Sequence, residues 1–96
     1  ALRIKPSDEY FATYSKSNQI LTELSKHTSS DMRRIVAINY NCSLELLEVL
    51  SNDEDYCVRY NVAYNLGCSK KIIKKLCHDE HFEVRCAAQS RIYDFQ

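Results

Sequence analysis

The residues of this chain whose types suit chemistry are five cysteines, three histidines and a group of lysines. Cys77, His78, His81 and Cys86 fall together in "CHDEHFEVRC". A zinc site needs four such donors converging tetrahedrally, at spacings that recur among known sites. This string matches none of them and the sequence has no CxxC, so no metal and no cofactor is expected. Cys42, Cys57, Cys68, Cys77 and Cys86 are odd in number, and no signal-peptide pattern opens the sequence. Free thiols acting as small hydrophobes account for them better than a disulfide framework. His27, His78 and His81 stand without a Ser or Cys nucleophile at a recognisable motif, and no glycine-rich phosphate loop occurs. A catalyst is therefore not expected. Lys70, Lys71, Lys74 and Lys75 are placed to project from one face of a helix. Two uses are open to that stripe: contact with phosphates or an acidic protein, or a solvated outer face partly neutralised by Glu45 and Glu48.

Composition narrows the field. Lys plus Arg and Asp plus Glu each number 13, which argues against a surface basic all over and against a polybasic membrane arm. One Gly and one Pro leave few sites for tight hairpins, which favours an all-α chain. No apolar run approaches the ~18–20 residues of a membrane span, so a cytoplasmic protein is expected.

The elements that position these residues follow from self-similarity. Sliding the sequence by 26 residues lays "MRRIVAINYNCSLELLEVLSNDEDY" (32–56) on "VRYNVAYNLGCSKKIIKKLCHDEHF" (58–82) without a gap. Ser17, Ser43 and Ser69 form one column, and Leu21, Leu47 and Ile73 another. Arg33, Arg59 and Arg85 form a third. Such a period marks stacked supersecondary units. The units span 17–42, 43–68 and 69–94 of a single domain covering 1–96, with 1–16 as an N-terminal cap. Each unit reads as two helices. The first opens at the Ser, a natural N-cap, and covers 18–25, 44–51 or 70–77. The second covers 30–40, 56–66 or 82–93, with Val58, Val62, Ala63 and Leu66 expected on its buried face. Gly67 and Asn41 share a column just past the second helix, where a left-handed residue is expected to end it. Asn39 and Asn65 precede them, able to bond freed backbone groups.

The phrase Asp53, Val58, Arg59, repeated as Asp79, Val84, Arg85, resembles HEAT-like repeats. Residues 53–76 are closer still to the bacterial leucine-rich repeat variant, whose phrasing is "D…VR..VA.N…S/T..LL..L". The resemblance covers about three quarters of the chain. It implies a right-handed α-solenoid in which Asp53, Arg59, Asp79 and Arg85 form a ladder between units. His27 departs from the pattern in the first unit, and so does "QSR" (89–91) in the last. A chain of this size suits a bacterial or phage origin.

Solenoids bind through positions that vary between units. Tyr60, Asn61 and Tyr64 lie on the second helix away from its valines, and Arg34 and Ile38 stand in the columns of Tyr60 and Tyr64 one unit earlier. Either the tyrosines pack between units with wet hydroxyls, or these five residues form a protein-binding face. The leading expectation is a small non-catalytic binding module: an adaptor, inhibitor or regulator. Nucleic-acid binding through Lys70, Lys71, Lys74 and Lys75 is the alternative. Self-association through the C-terminal end, where Ile92, Tyr93 and Phe95 stand, is a third.

Overall fold

The computed structural model describes residues 6–95, so the first five residues of the expected cap lie outside it. It is all-helical, with no strand among the described residues. In chain order the helices are α1 (Pro6–Tyr14), α2 (Asn18–Ser25), α3 (Ser30–Ile38), α4 (Leu44–Leu50), α5 (Tyr56–Tyr64), α6 (Lys70–Leu76) and α7 (Phe82–Arg91). A 3-10 turn, Ile92–Phe95, follows.

Local chemistry sets these boundaries. The hydroxyls of Ser17, Ser43 and Ser69 accept from the amides of Ile20, Leu46 and Ile72, opening α2, α4 and α6. Such a cap contributes about 1 kcal/mol by satisfying a donor that the helix cannot. The Asp55 carboxylate accepts from the Cys57 amide to open α5, and the His81 ring accepts from Glu83 to open α7.

The far ends of α3 and α5 differ from expectation. Both helices stop two residues short, at Ile38 and Tyr64, and no described residue has a positive φ. The left-handed ending expected at Gly67 and Asn41 is not used. Asn39 and Asn65 instead turn extended, and their side-chain oxygens accept from the amides of Asn41 and Gly67 at 2.9 and 2.8 Å. That local bond replaces the backbone turn a left-handed residue would make. A Cβ at Gly67 would meet Asn65 Oδ1 at 3.2 Å, a tight contact that a small shift relieves, and Asn41 carries a side chain in the same column. Because α5 ends early, the helical period no longer carries Leu66 inward, and it is 82 % exposed.

The odd-numbered helices pack in series, α1 on α3, α3 on α5 and α5 on α7; the even-numbered ones pack against those beside them. Between the rows lies one continuous core. Leu21, Leu47 and Ile73 come from the even row, and Met32, Val58, Val84, Val36, Val62 and Ala88 from the odd row. All are essentially inaccessible to solvent. The body measures 39 × 24 × 17 Å.

Candidate functional site

Three side chains spaced 26 residues apart bind consecutive odd-numbered helices. Asn39, in a buried position at the end of α3, donates through Nδ2 to the carbonyls of Ala12 and Ser15 at the end of α1, both at 3.0 Å. Asn65 does the same to Ala37 and Asn39, at 2.9 and 3.0 Å. In the third place stands Arg91, whose Nη1 donates to Ala63 and Asn65 at 2.6 and 3.2 Å. The "QSR" departure therefore keeps the bond with a longer donor.

On the loop side the arginines do related work. Arg33 is the fourth residue of α3. Its Nε and Nη2 donate to the Asp53 carboxylate at 2.8 and 3.2 Å, while Nη1 donates back to the carbonyls of His27 and Thr28. Arg59 repeats this on α5, bidentate to Asp79 at 2.8 and 3.1 Å and bonded back to the Asp53 carbonyl. Both pairs are largely buried. Burial pushes the Asp79 carboxyl up, but the Arg59 bond, the His81 amide and their charges outweigh it and leave it below the usual range. Asp53 and Asp79 also accept from the amides of Asp55 and His81 two residues on. His27, in the same column, imitates this: its Nδ1 accepts from the Ser29 amide at 3.0 Å. Its Nε2 is buried and has no hydrogen-bond partner among the described residues. Between these loops run two shallow grooves of about 510 Å³ each, lined by Arg33, Asp53 and Glu54 in one and by Arg59, Asp79 and Glu80 in the other.

The five residues singled out as a protein-binding face divide. Tyr60 and Tyr64 pair with ring centroids 4.9 Å apart on α5. Tyr64 is 42 % exposed, and Ile38 in its column on α3 is 46 % exposed, whereas Tyr60 is half-buried against the core. Arg34 is held by Asp55 at 2.8 Å and by Asp31 at 3.2 Å. Asn61 donates to the Arg34 carbonyl at 2.9 Å, tying α5 to α3. So Ile38 and Tyr64 present free surface, while Arg34 and Asn61 spend their polar groups inside the molecule.

The lysine stripe divides as well. Lys70, Lys71 and Lys74 are exposed on α6. Lys75 reaches back to α4, where its Nζ lies 3.2 Å from Glu48, 2.5 Å from the Ser51 hydroxyl and 3.3 Å from Asn52. Among the described residues no three of His, Cys, Asp and Glu converge as a metal site. The His81 ring stacks on Tyr56 at 3.6 Å, while His78 and Cys86 face solvent. All five cysteines are free thiols. Burial pushes Cys42 and Cys68 up to about 11.

No family model, curated protein or solved structure matches this chain.

One row of surface residues escapes sequence reasoning. Tyr14, Tyr40 and Leu66 are 65, 71 and 82 % exposed at the ends of α1, α3 and α5. They also stand 26 residues apart. Comparing columns for apolar character beyond the helix ends finds them; assuming that α5 continues through Leu66 hides them.

Proposed function

We propose that the chain is a short right-handed α-solenoid of HEAT-like units, close in its phrasing to the bacterial leucine-rich repeat variant. We propose that it serves as a non-catalytic protein-binding module, an adaptor, inhibitor or regulator in the cytoplasm. The serial packing of α1, α3, α5 and α7, joined by bonds at a constant 26-residue step, supports the solenoid. The observation that carries the binding reading is the exposed apolar pair Ile38 and Tyr64, backed by the Tyr60 ring and flanked in sequence by Tyr40 and Leu66. Aromatic and branched side chains on a rigid helix row gain from leaving water and lose little rotamer freedom when a partner covers them.

The test is capture of partners from a lysate, with and without nuclease, followed by affinity measurement on the recovered protein. Ile38→Ser/Tyr64→Ser should abolish a nuclease-resistant interaction while circular dichroism stays unchanged. Lys70→Glu/Lys71→Glu/Lys74→Glu should leave it intact. A signal removed by nuclease and by the lysine changes, and indifferent to Tyr64, would overturn the reading in favour of nucleic acid.

A further inference from the structure

The outer faces of α4 and α6 hold different charges at matching places. On α4 the outward residues are Leu44, Glu45, Glu48 and Val49. A step of 26 puts Lys70, Lys71, Lys74 and Lys75 at the same places on α6. On α2 those places are Asn18, Gln19, Thr22 and Glu23, so the opposed pair is α4 and α6. Lys75 Nζ reaches Glu48, Ser51 and Asn52, the residues about its own column on α4. The two helices therefore lie side by side, in the same direction and at the same level.

Inside the molecule that contrast goes largely unused. Lys75 pairs with Glu48 at 3.2 Å, but Glu45, Lys70, Lys71 and Lys74 make no ion pair among the described residues. Leu44 and Val49 stand beside the acids, 50 and 65 % exposed. Glu45 and Lys71 point the same way, outward, so a surface of the opposite pattern laid over them reaches both. The chain carries that pattern itself. Turned over about a line between the two helices, acid and base exchange places.

We propose that this face binds a second copy of the chain, across a two-fold axis that runs between α4 and α6 and along them. The rotation lays α4 of each copy on α6 of the other, with direction and level unchanged, so residues of one column meet. Glu45 then faces Lys71 of the other copy, and Glu48 faces Lys74. Leu44 and Val49 lie under the aliphatic stems of Lys70 and Lys75. The two-fold axis makes every contact twice. Placing α4 on α4 or α6 on α6 would set like charges together, which fixes the arrangement. The formal net charge of each copy is zero, so no long-range repulsion opposes the approach. With about ten side chains a side, against the 20–30 of a standard interface, the pairing belongs to the weak, reversible class.

The test is sedimentation equilibrium of the full chain from about 20 µM to about 1 mM, in about 50 mM salt. The wild type should rise from 11.2 kDa toward twice that mass. Its dissociation constant should be on the order of 100 µM, weakened at least about tenfold by about 500 mM salt. Glu45→Lys/Glu48→Lys and Lys70→Glu/Lys71→Glu/Lys74→Glu should each stay monomeric, because each sets like charges against like. Mixed in equal amounts they should pair, since both helix contacts then join opposite charges, and the mass should stop at two chains. A wild type that stays monomeric up to about 1 mM would overturn the proposal, whether or not its lysines then bound an oligonucleotide. So would variants that dimerise as the wild type does, or a mixture no heavier than its components. The wild-type concentration and salt series needs no substitution, so it decides the matter even if a variant folds poorly.

Discussion

Asn65 is 1 % exposed and carries no charge, which makes it the cleanest place to measure what joins α5 to α3. Its side chain makes three bonds: Nδ2 donates to Ala37 and Asn39, and Oδ1 accepts from Gly67. Asn65→Ala deletes all three, but the groups left behind are not equally harmed. The Asn39 carbonyl keeps the Cys42 amide at 3.0 Å. The Ala37 carbonyl has no other donor among the bonds between described residues, and the Gly67 amide has water near, since Gly67 is exposed. With about 1 kcal/mol for each net bond, and more for a buried orphan, the expected loss is about 3 kcal/mol. A chain of this length has roughly 5–14 kcal/mol in total, so this is a large part of it. In urea, with a slope of about 1.5 kcal/mol per molar, the midpoint should fall by about 2 M. Asn65→Asp separates the bonds. A carboxylate still accepts from Gly67 but turns an acceptor toward two carbonyls, so it should be at least as unstable as Asn65→Ala at neutral pH. A midpoint shift below about 0.5 M for Asn65→Ala would refute the reasoning, for the three bonds would then be worth no more than a surface contact. So would an Asn65→Asp variant as stable as wild type.

Arg59→Ala should cost about 3–5 kcal/mol, because it leaves the Asp79 carboxylate buried without its partner. Arg59→Met/Asp79→Leu should recover much of that loss in the same denaturation assay. The depressed carboxyls of Asp79 and Asp55 set the acid limb: their stabilisation is present above the unfolded carboxylate value of about 4 and is lost as pH falls below it. Urea midpoints measured from about pH 6 down to about pH 2 should therefore drop, and Asp79→Asn should flatten the drop. Thiol reactivity should be graded. Exposed Cys86 should react with a disulfide reagent at once, whereas Cys42 and Cys68, buried and raised to about 11, should react only on unfolding. Equal rates for all five thiols would contradict that burial.

The parts of this fold legible in the sequence are those governed by local rules. Ser17, Ser43 and Ser69 cap their helices because a hydroxyl at that place needs only the next turn. Leu21, Leu47 and Ile73 are buried because helical spacing points them one way. Choices made by geometry between segments were harder to read. The resemblance implies a ladder between units, but not which acid each arginine takes: Arg59 gives Asp53 only a backbone bond and takes its carboxylate from Asp79. Offset alone cannot say which layer a side chain faces. Leu66 lies outward for a related reason: Asn65 ends the helix through its side chain, and apolar periodicity carries no trace of that. Of the candidate surface, Ile38 and Tyr64 were legible as outward columns, but the bonds that occupy Asn61, Arg34 and Lys75 depend on neighbours a full period away.

The joints made by Asn39, Asn65 and Arg91 have a consequence for how such a chain can change. Each grips main-chain carbonyls, at Ala12 and Ser15, Ala37 and Asn39, Ala63 and Asn65. A carbonyl belongs to every residue type, so being gripped places no demand of its own on a side chain; Asn39 and Asn65 are constrained because they also grip. Arg91 shows that the gripping residue is also replaceable, provided it brings an N–H to the same spot. Tyr40, Tyr64 and Leu66 are consequently free to drift without loosening the fastenings beside them. Mutation can rewrite the exposed side chains on a frame that never reads what they are.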